Sequence, residues 1–213
     1  MVRTAKSIKS QLIISIVVTT IIFLGTMLLT GFNLMKNYSL TNAQELAATV
    51  LNDTDNNINQ FFSEIENLAR SLASYKVVYR IDENHLKDLF LANVMARKEY
   101  MRAIYLGTKE GRMFECGYGE GFLDNTAVLP EDYDPRIRPW YKEAVAAGDY
   151  TIARPYIYAS IKALGITAVI PVYHPDGEFV GILGIDILLD SLTNLIEELK
   201  IQKQGKAILI NEK

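Results

Sequence analysis

The stretch 166-ITAVIPVYHPDGEFVGILGIDIL-188 decides the fold, because two runs rich in Val and Ile flank the turn sequence HPDG. Proline, aspartate and glycine favour a tight turn, whereas β-branched residues favour extended strands. The pattern predicts a β-hairpin with arms at 166–173 and 178–188.

A second hairpin is indicated upstream, where residues 101–107 and 113–117 flank the polar turn sequence TKEG. Before it, residues 82–98 carry apolar side chains on one broad helical face, after Asp82, a candidate N-cap. Helices followed by successive hairpins predict an α+β fold, in which helices pack against an antiparallel sheet.

The chain after the 166–188 hairpin is expected to form a closing helix at about 189–199. Residues 206–210 then read as one further strand, after which the sequence stops almost at once. This ending favours a truncated second module.

An uncharged apolar run, QLIISIVVTTIIFLGTMLLTG, occupies residues 11–31. About 20 such residues cross a bilayer as a helix, so the run predicts a transmembrane helix. Arg3, Lys6 and Lys9 precede it, and the positive-inside rule therefore places residues 1–10 in the cytoplasm and everything after Phe32 outside. A cleaved signal peptide is the alternative, but its apolar core is shorter and a small-x-small site follows it.

Residues 32–78 are expected to form a long stalk helix. Between Leu51 and Leu72 apolar side chains recur in steps of three and four, which is typical of a helix with one apolar seam. The seam packs either against the sensor domain or against the same helix of a second subunit, giving a homodimer. The sequence does not separate these two uses.

Composition excludes several function classes. The net charge is −3 with both signs interleaved, so the chain lacks the one-sided basic field of a nucleic-acid partner. With a single cysteine, Cys116, and only two histidines, we expect no disulfide, no metal site and no cofactor, and Cys116 is expected to be buried. No nucleophile and base can be paired, so the chain is not expected to be an enzyme.

The segment 133-YDPRIRPWY-141 holds two arginines and three large aromatics. Pro139 biases Arg138 towards extended backbone and opens a helix running to about Ala147. A guanidinium beside free helix amides and phenol hydroxyls is suited to a carboxylate. The alternative is that Trp140 and Tyr141 are core residues while the arginines pair with nearby aspartates, Asp132 or Asp134.

A single carboxylate interrupts the 178–188 strand. On a period of two, Asp186 shares a face with Ile182 and Gly184, and the glycine is expected to leave space beside the acid. A buried carboxylate needs a partner, and the ammonium group of a ligand would serve. Asp186 could instead cap the following helix. Together, Asp186 and the segment 133–141 predict a site that is complementary to a zwitterionic amino acid.

At these residues the chain resembles the double Cache family of PAS-like extracytoplasmic sensors, found on chemoreceptors, sensor histidine kinases and diguanylate cyclases. The likeness covers about residues 40–210 and is clearest at RPWY, at ARPY from Ala153 to Tyr156, and at GIDI. It implies a membrane-distal sensor module at 79–200, with 201–213 beginning a truncated membrane-proximal module. The resemblance further implies that the second module is present here only in its first strand, at residues 206–210, and that any output domain lies outside this sequence.

The amino-acid-binding group of these sensors carries a six-residue pattern that this sequence matches at Tyr133, Arg138, Trp140, Tyr141, Tyr156 and Asp186. The resemblance implies that the carboxylate side of the ligand is held by Tyr133, Arg138 and Trp140. It also implies that Tyr156 and Asp186 receive the ammonium group and that Tyr141 is a support or part of the wall. Tyr158 could exchange roles with Tyr156. The expected function is amino-acid sensing by a membrane receptor. The alternatives are an amine or organic-acid ligand, or a purely structural dimerisation module.

Overall fold

A computed structural model describes residues 8–119, 121–124, 129–130, 132–158 and 162–190 of the protein. The chain divides into two compact units, Met1–Asp53 and Thr54–Lys213. The first unit carries the apolar part of helix α1 (Ile8–Ala73), which is long and apolar enough to cross a membrane. None of this apolar stretch is buried among the residues that the structure describes.

The second unit alternates helices and strands in an α+β arrangement, as the sequence predicts. After α1 come the short helix α2 (Lys76–Tyr79) and helix α3 (Glu83–Met95), and helix α4 (Pro139–Ala147) lies between the strands. The strands are β1 (Met101–Thr108), β2 (Met113–Gly119), β3 (Gly121–Asp124), β4 (Thr151–Ile157), β5 (Leu164–Tyr173) and β6 (Phe179–Leu188).

In the described part of the chain these six strands form one antiparallel sheet in the order β3-β2-β1-β6-β5-β4. Both predicted hairpins are confirmed, as β1–β2 and β5–β6. Strands β1 and β6 lie side by side at the centre, where Tyr105 is opposite Gly184 and Ala103 is opposite Asp186. Residues of both hairpins therefore meet on the two central strands.

The first face of the sheet carries the larger apolar core. It packs against the end of α1 and against α2 and α3, and the buried members include Phe61, Ile65, Leu72, Val78, Leu86, Phe90, Ile104, Leu183, Ile185 and Ile187. From Ile58 onward, the predicted seam of α1 thus packs inside the sensor domain. Cys116 is buried in the same core, as expected, and its thiol donates a weak hydrogen bond to the Lys87 carbonyl at 3.6 Å.

The second face is covered by α4. Trp140, Tyr141 and Ala144 of this helix pack over Tyr105 and Ile182 of the central strands. Successive residues of a strand point to opposite faces, so β6 contributes Ile185 and Ile187 to the first face and Asp186 to the second.

Two sequence-based boundaries and one predicted cap need correction. The stalk helix, expected to reach residue 78, ends at Ala73, because the backbone leaves helical geometry at Tyr75 (φ −81°, ψ 134°). The helix expected at 82–98 ends at Met95. Asp82 occupies its N-cap, but the carboxylate contacts His85 Nδ1 at 2.9 Å and makes no capping bond.

Other expectations lie outside the described residues. The closing helix is described only at residues 189–190, and the strand at 206–210 is not described. The module limits 79–200 and 201–213 stay predictions.

Candidate ligand-binding site

The loop before α4 separates its two arginines. Asp134 accepts a hydrogen bond from the Arg136 amide at 2.9 Å, and its carboxylate also holds the exposed Arg136 guanidinium at 2.8–3.2 Å. Pairing with a nearby aspartate was one interpretation of the sequence, and it holds for Arg136. The Arg136 guanidinium is therefore already paired within the protein.

Arg138 is placed differently. Its backbone is extended (φ −76°, ψ 148°), as expected before Pro139, and it forms the N-cap position of α4. Its guanidinium carbon lies 5.6 Å from the centre of the Tyr133 ring. Among the described residues, no hydrogen-bond acceptor reaches its buried Nε atom. A buried donor without a partner is costly, so a bound acceptor would be stabilised here.

Trp140 and Tyr141 fix the start of α4 to the sheet. Trp140 is buried and makes an edge contact with Tyr105, with ring centres 4.9 Å apart. A Cβ atom at Gly107 would lie only 2.7 Å from Trp140 Cη2, so glycine is needed for this approach. The Tyr141 hydroxyl lies 3.5 Å from the Thr108 carbonyl oxygen, which marks Tyr141 as a support for α4.

Asp186 lies at the centre of a hydrogen-bond network on the sheet. Its Oδ1 atom accepts bonds from the Tyr105 hydroxyl at 2.8 Å and the Thr167 hydroxyl at 2.6 Å. The Tyr156 hydroxyl lies 3.2 Å from that of Tyr105 and 3.0 Å from that of Thr167. Hydroxyl groups from β1, β4 and β5 thus form a network with the buried carboxylate of Asp186 on β6.

Two interpretations of Asp186 change with this geometry. Its described bonds run to hydroxyls of neighbouring strands, so the capping alternative does not account for its position. The space above Gly184 is filled, because the Tyr105 ring lies where a Cβ atom at residue 184 would be. Glycine therefore admits the tyrosine that hydrogen-bonds Asp186, and does not leave an open volume beside the acid.

Burial controls protonation at this network. It raises the pKa of Asp186 to about 8, and the hydrogen bond from Thr167 partly opposes that rise. Burial also raises the pKa values of the Tyr105, Tyr156 and Tyr133 hydroxyls, so they remain protonated and can donate. A cation entering beside Asp186 would favour the ionised carboxylate.

The structure gathers most of the expected residues around one pocket. Its lining consists of Tyr105, Met113, Glu115, Leu129, Tyr133, Arg138, Trp140, Tyr156, Tyr158 and Asp186. Five of the six residues matched by the sequence pattern belong to this lining, and Tyr141 lies behind Trp140, 5.5 Å away between ring centres.

Sequence reasoning missed Tyr105, Thr167 and Glu115. The only signal for Tyr105 is its strand position, because antiparallel pairing with β6 cannot be read from spacing alone. Tyr158 was considered as a substitute for Tyr156, but its hydroxyl bonds to the Ile166 carbonyl at 2.6 Å and to the Ile187 backbone at 2.9–3.0 Å. Tyr156 is the one joined to the Asp186 network.

Comparison with known families decides the classification. Residues 76–194, more than half of the chain, match the family model described as "Methyl-accepting chemotaxis protein-like, first PDC sensor domain". The chain belongs to this family. The matched residues include the six strands, helices α2, α3 and α4, and the lining of the pocket described above.

Chemotaxis receptors similar to this chain are much longer than it. The methyl-accepting chemotaxis protein McpG of Pseudomonas putida is 28% identical over 214 residues, which cover 97% of this chain and 31% of McpG. The present chain thus spans about a third of the length of that receptor.

Solved structures of similar domains contain bound ligands. The ligand-binding domain of the Pseudomonas aeruginosa amino-acid chemoreceptor PctC, in complex with GABA, matches with a TM-score of 0.57 and 25% identity, over 72% of this chain and 66% of that solved domain. The ligand-binding domain of the Pseudomonas fluorescens chemoreceptor CtaA, in complex with L-alanine, matches with a TM-score of 0.55 and 26% identity, over 66% and 57% of the two chains.

Proposed function

We propose that this chain is the ligand-sensing region of a transmembrane chemoreceptor and that its pocket binds a small α-amino acid. One observation carries the proposal: a guanidinium with an unpartnered buried Nε atom, among the described residues, and a buried carboxylate line the same pocket. Arg138 and Asp186 thus offer opposite charges to one small molecule.

The role of each pocket residue follows from the charged group of the ligand that it would bind. Arg138 receives the ligand's carboxylate, supported by the protonated Tyr133 hydroxyl and by the amides at the start of α4. Asp186 and Tyr156 receive the ammonium group, and the aromatic rings of Trp140 and Tyr105 form the walls between. A simple amine would leave Arg138 unpaired, and a simple carboxylate would leave Asp186 unpaired.

The proposal extends to the membrane and to the output. The apolar part of α1 anchors the receptor with residues 1–10 in the cytoplasm and the sensor domain outside, in agreement with the basic residues that precede the apolar run. The chain acts as a sensor and not as an enzyme, and it works as a homodimer through the stalk. The similarity to chemotaxis receptors supports a chemotactic output.

Binding tests the proposal directly. The whole chain, in detergent micelles or lipid nanodiscs, is titrated by calorimetry with L-amino acids, simple amines and simple organic acids. We expect saturable binding of at least one amino acid and at least tenfold weaker binding after Arg138→Ala, because charge-assisted hydrogen bonds are lost.

Arg136→Ala is the matched control, since Arg136 lies two residues away and is already paired with Asp134. Equal losses in the two arginine variants would indicate damage to the loop rather than loss of a ligand contact. A folded chain that binds none of the amino acids would refute the proposal.

A further inference from the structure

One part of the pocket wall is apolar and lies apart from the groups that hold the charges of an amino acid. In the proposed function, Arg138 and Tyr133 bind the ligand's carboxylate, and the hydroxyl network around Asp186 binds its ammonium group. Met113 and Leu129 line the rest of the wall and pack in the apolar cluster that α4 covers. The side chain of a bound amino acid therefore faces this apolar wall, because its two charged substituents are held elsewhere.

The sheet register sets how far the apolar wall lies from Asp186. Met113 on β2 is opposite Gly107 on β1, and Asp186 on β6 is opposite Ala103. Two strand spacings of about 4.8 Å and a four-residue step of about 13.5 Å place the Cα atoms of Met113 and Asp186 roughly 17 Å apart. Tyr105 lies midway between them on the same face of the sheet. An amino acid held at Asp186 therefore reaches Met113 only with its side chain.

The pocket is nearly filled by its own side chains. Its free volume is about 10 Å³, roughly the room of one water molecule, so a ligand must displace part of the lining. The aromatic rings are held in place. The hydroxyls of Tyr105 and Tyr156 belong to the Asp186 network, and that of Tyr158 bonds to strand backbone. The Trp140 ring packs edge-on against Tyr105.

Met113 is the lining side chain that gives way at the lowest cost. Methionine is unbranched and has three rotatable bonds, so it repacks more readily than an aromatic ring. Its thioether is only a weak hydrogen-bond acceptor, and turning it aside gives up no strong polar interaction. In this structure the Met113 side chain is buried, and its movement would free the volume of three heavy atoms beside Leu129.

The acid in this part of the wall is balanced by a buried cation. Glu115 is buried two residues beyond Met113 on β2 and already interacts with other groups of the protein. Burial lowers the pKa of the buried Arg102 guanidinium, and the negative charge of Glu115 raises it. The two opposite charges offset each other. An uncharged ligand side chain preserves this balance, whereas a charged one would lose its hydration against Met113 and Leu129.

We infer that Met113 determines which side chains the site accepts and that the ligand is an α-amino acid with an uncharged, apolar side chain. The inference rests on the proposed function and adds the ligand's side-chain class to it. The side chain of the ligand occupies the volume that the Met113 side chain fills in this structure, and the methionine turns aside to admit it.

Lysine and norleucine test the side-chain class without any variant, because norleucine keeps lysine's carbon chain and lacks its terminal ammonium. Both are titrated by calorimetry into the whole wild-type chain in lipid nanodiscs. We expect norleucine to bind at least about tenfold more tightly than lysine, since the lysine ammonium would be desolvated against an apolar wall.

Norleucine and alanine test the role of Met113. In Met113→Ala, norleucine no longer has to displace a side chain, so the ratio of norleucine to alanine affinity should rise at least about tenfold over wild type. Val169→Ala is the matched control, because Val169 belongs to the same apolar cluster but not to the described pocket lining. This control should leave the ratio unchanged.

The possible outcomes separate the two proposals. If lysine binds wild type as tightly as norleucine, or if Met113→Ala leaves the norleucine-to-alanine ratio unchanged, the specificity inference is overturned while amino-acid binding remains. Binding of no amino acid at all overturns both proposals. If Met113→Ala does not fold, Met113→Leu decides the role of Met113. Leucine keeps the apolar volume but is branched and stiffer, so the ratio should fall, and an unchanged ratio overturns the inference.

Discussion

The hydroxyl group of Tyr105 donates a 2.8 Å hydrogen bond to Asp186, although the two residues are 81 positions apart in the chain. The bond joins the first hairpin to the second at the centre of the sheet. It also places the tyrosine ring over Gly184 and against Trp140, so the pocket floor depends on this pair.

Removal of the Tyr105 hydroxyl should weaken ligand binding. Tyr105→Phe keeps the ring but removes a donor to the Asp186 carboxylate, so ionisation of Asp186 becomes harder. We expect a stability loss of about 1–3 kcal/mol and a several-fold weaker affinity at neutral pH. Tyr158→Phe is the control, because its hydroxyl bonds to strand backbone and should affect stability more than affinity.

Ligand affinity should rise with pH. The pKa of Asp186 is raised by burial to about 8, so most of the unliganded protein at pH 6–7 carries a protonated Asp186. The ammonium group of a ligand pairs with the ionised carboxylate of Asp186. Binding therefore releases the proton from Asp186. We expect affinity to increase by about tenfold per pH unit between pH 6 and 7 and to level off above pH 8.

Calorimetry in two buffers with different ionisation enthalpies measures the released proton. At pH 6–7 the wild type should release close to one proton per bound ligand. Asp186→Asn should bind weakly at every pH without proton release. A pH-independent affinity in the wild type would contradict the assignment of Asp186 to the ammonium group.

The stability of the unliganded protein should follow the opposite trend. The folded-state pKa of Asp186, about 8, lies above the ordinary value of 3.8, so between these values the folded state binds one proton more than the unfolded state. The contribution of Asp186 to the unfolding free energy therefore falls as pH rises from about 4 to 8, by up to about 1.4 kcal/mol per unit.

Urea unfolding at several pH values, followed by fluorescence, tests this trend, and Trp140 is the single tryptophan of the chain. As pH rises, the unfolding free energy of the wild type should fall relative to that of Asp186→Asn, so the variant becomes the more stable of the two by a growing margin. Asp149→Asn is the control, since the exposed Asp149 has its pKa lowered by hydrogen bonds from Arg70. If the unfolding free energies of wild type and Asp186→Asn differed by the same amount at every pH, the predicted trend would be wrong.

A methyl group at Gly184 should displace Tyr105. Gly184→Ala places Cβ in the tyrosine ring, and we expect a cost of about 1–3 kcal/mol together with weaker ligand binding. In a Tyr105→Ala background the same substitution should cost little, because the clash is gone. Thermal unfolding of the two single variants and the double variant gives the coupling between them, and simple additivity would argue against a direct clash.

Local sequence patterns predicted much of the fold. Runs rich in Val and Ile around HPDG, and the segments on either side of the polar turn TKEG, gave both hairpins. The HPDG hairpin turn is closed by bonds of 2.8 Å between His174 and Glu178 and between His174 and Gly177. Pro139 likewise placed the start of α4. These features depend on interactions between residues close in the chain, which a single sequence records directly.

The candidate site was only partly predictable. Arg138 and Asp186 stand out because each is a charged group in an otherwise apolar or aromatic context. Tyr105, Thr167 and Glu115 have no such signal, since their roles depend on which strands become neighbours. The same reason explains the error at Gly184, whose space is filled by a residue from another hairpin.

Under the proposed receptor function, strand β6 has a further consequence. The side chain of Asp186 faces the pocket. Its immediate neighbours, Ile185 and Ile187, face the other side of the sheet and belong to the apolar core that contains Phe61 and Ile65 of α1. If ligand binding at Asp186 shifts the packing of α1, thermodynamic reciprocity requires that any force holding α1 in one position changes ligand affinity by the same factor. The membrane in which such a receptor is embedded would then help to set the concentration at which it responds.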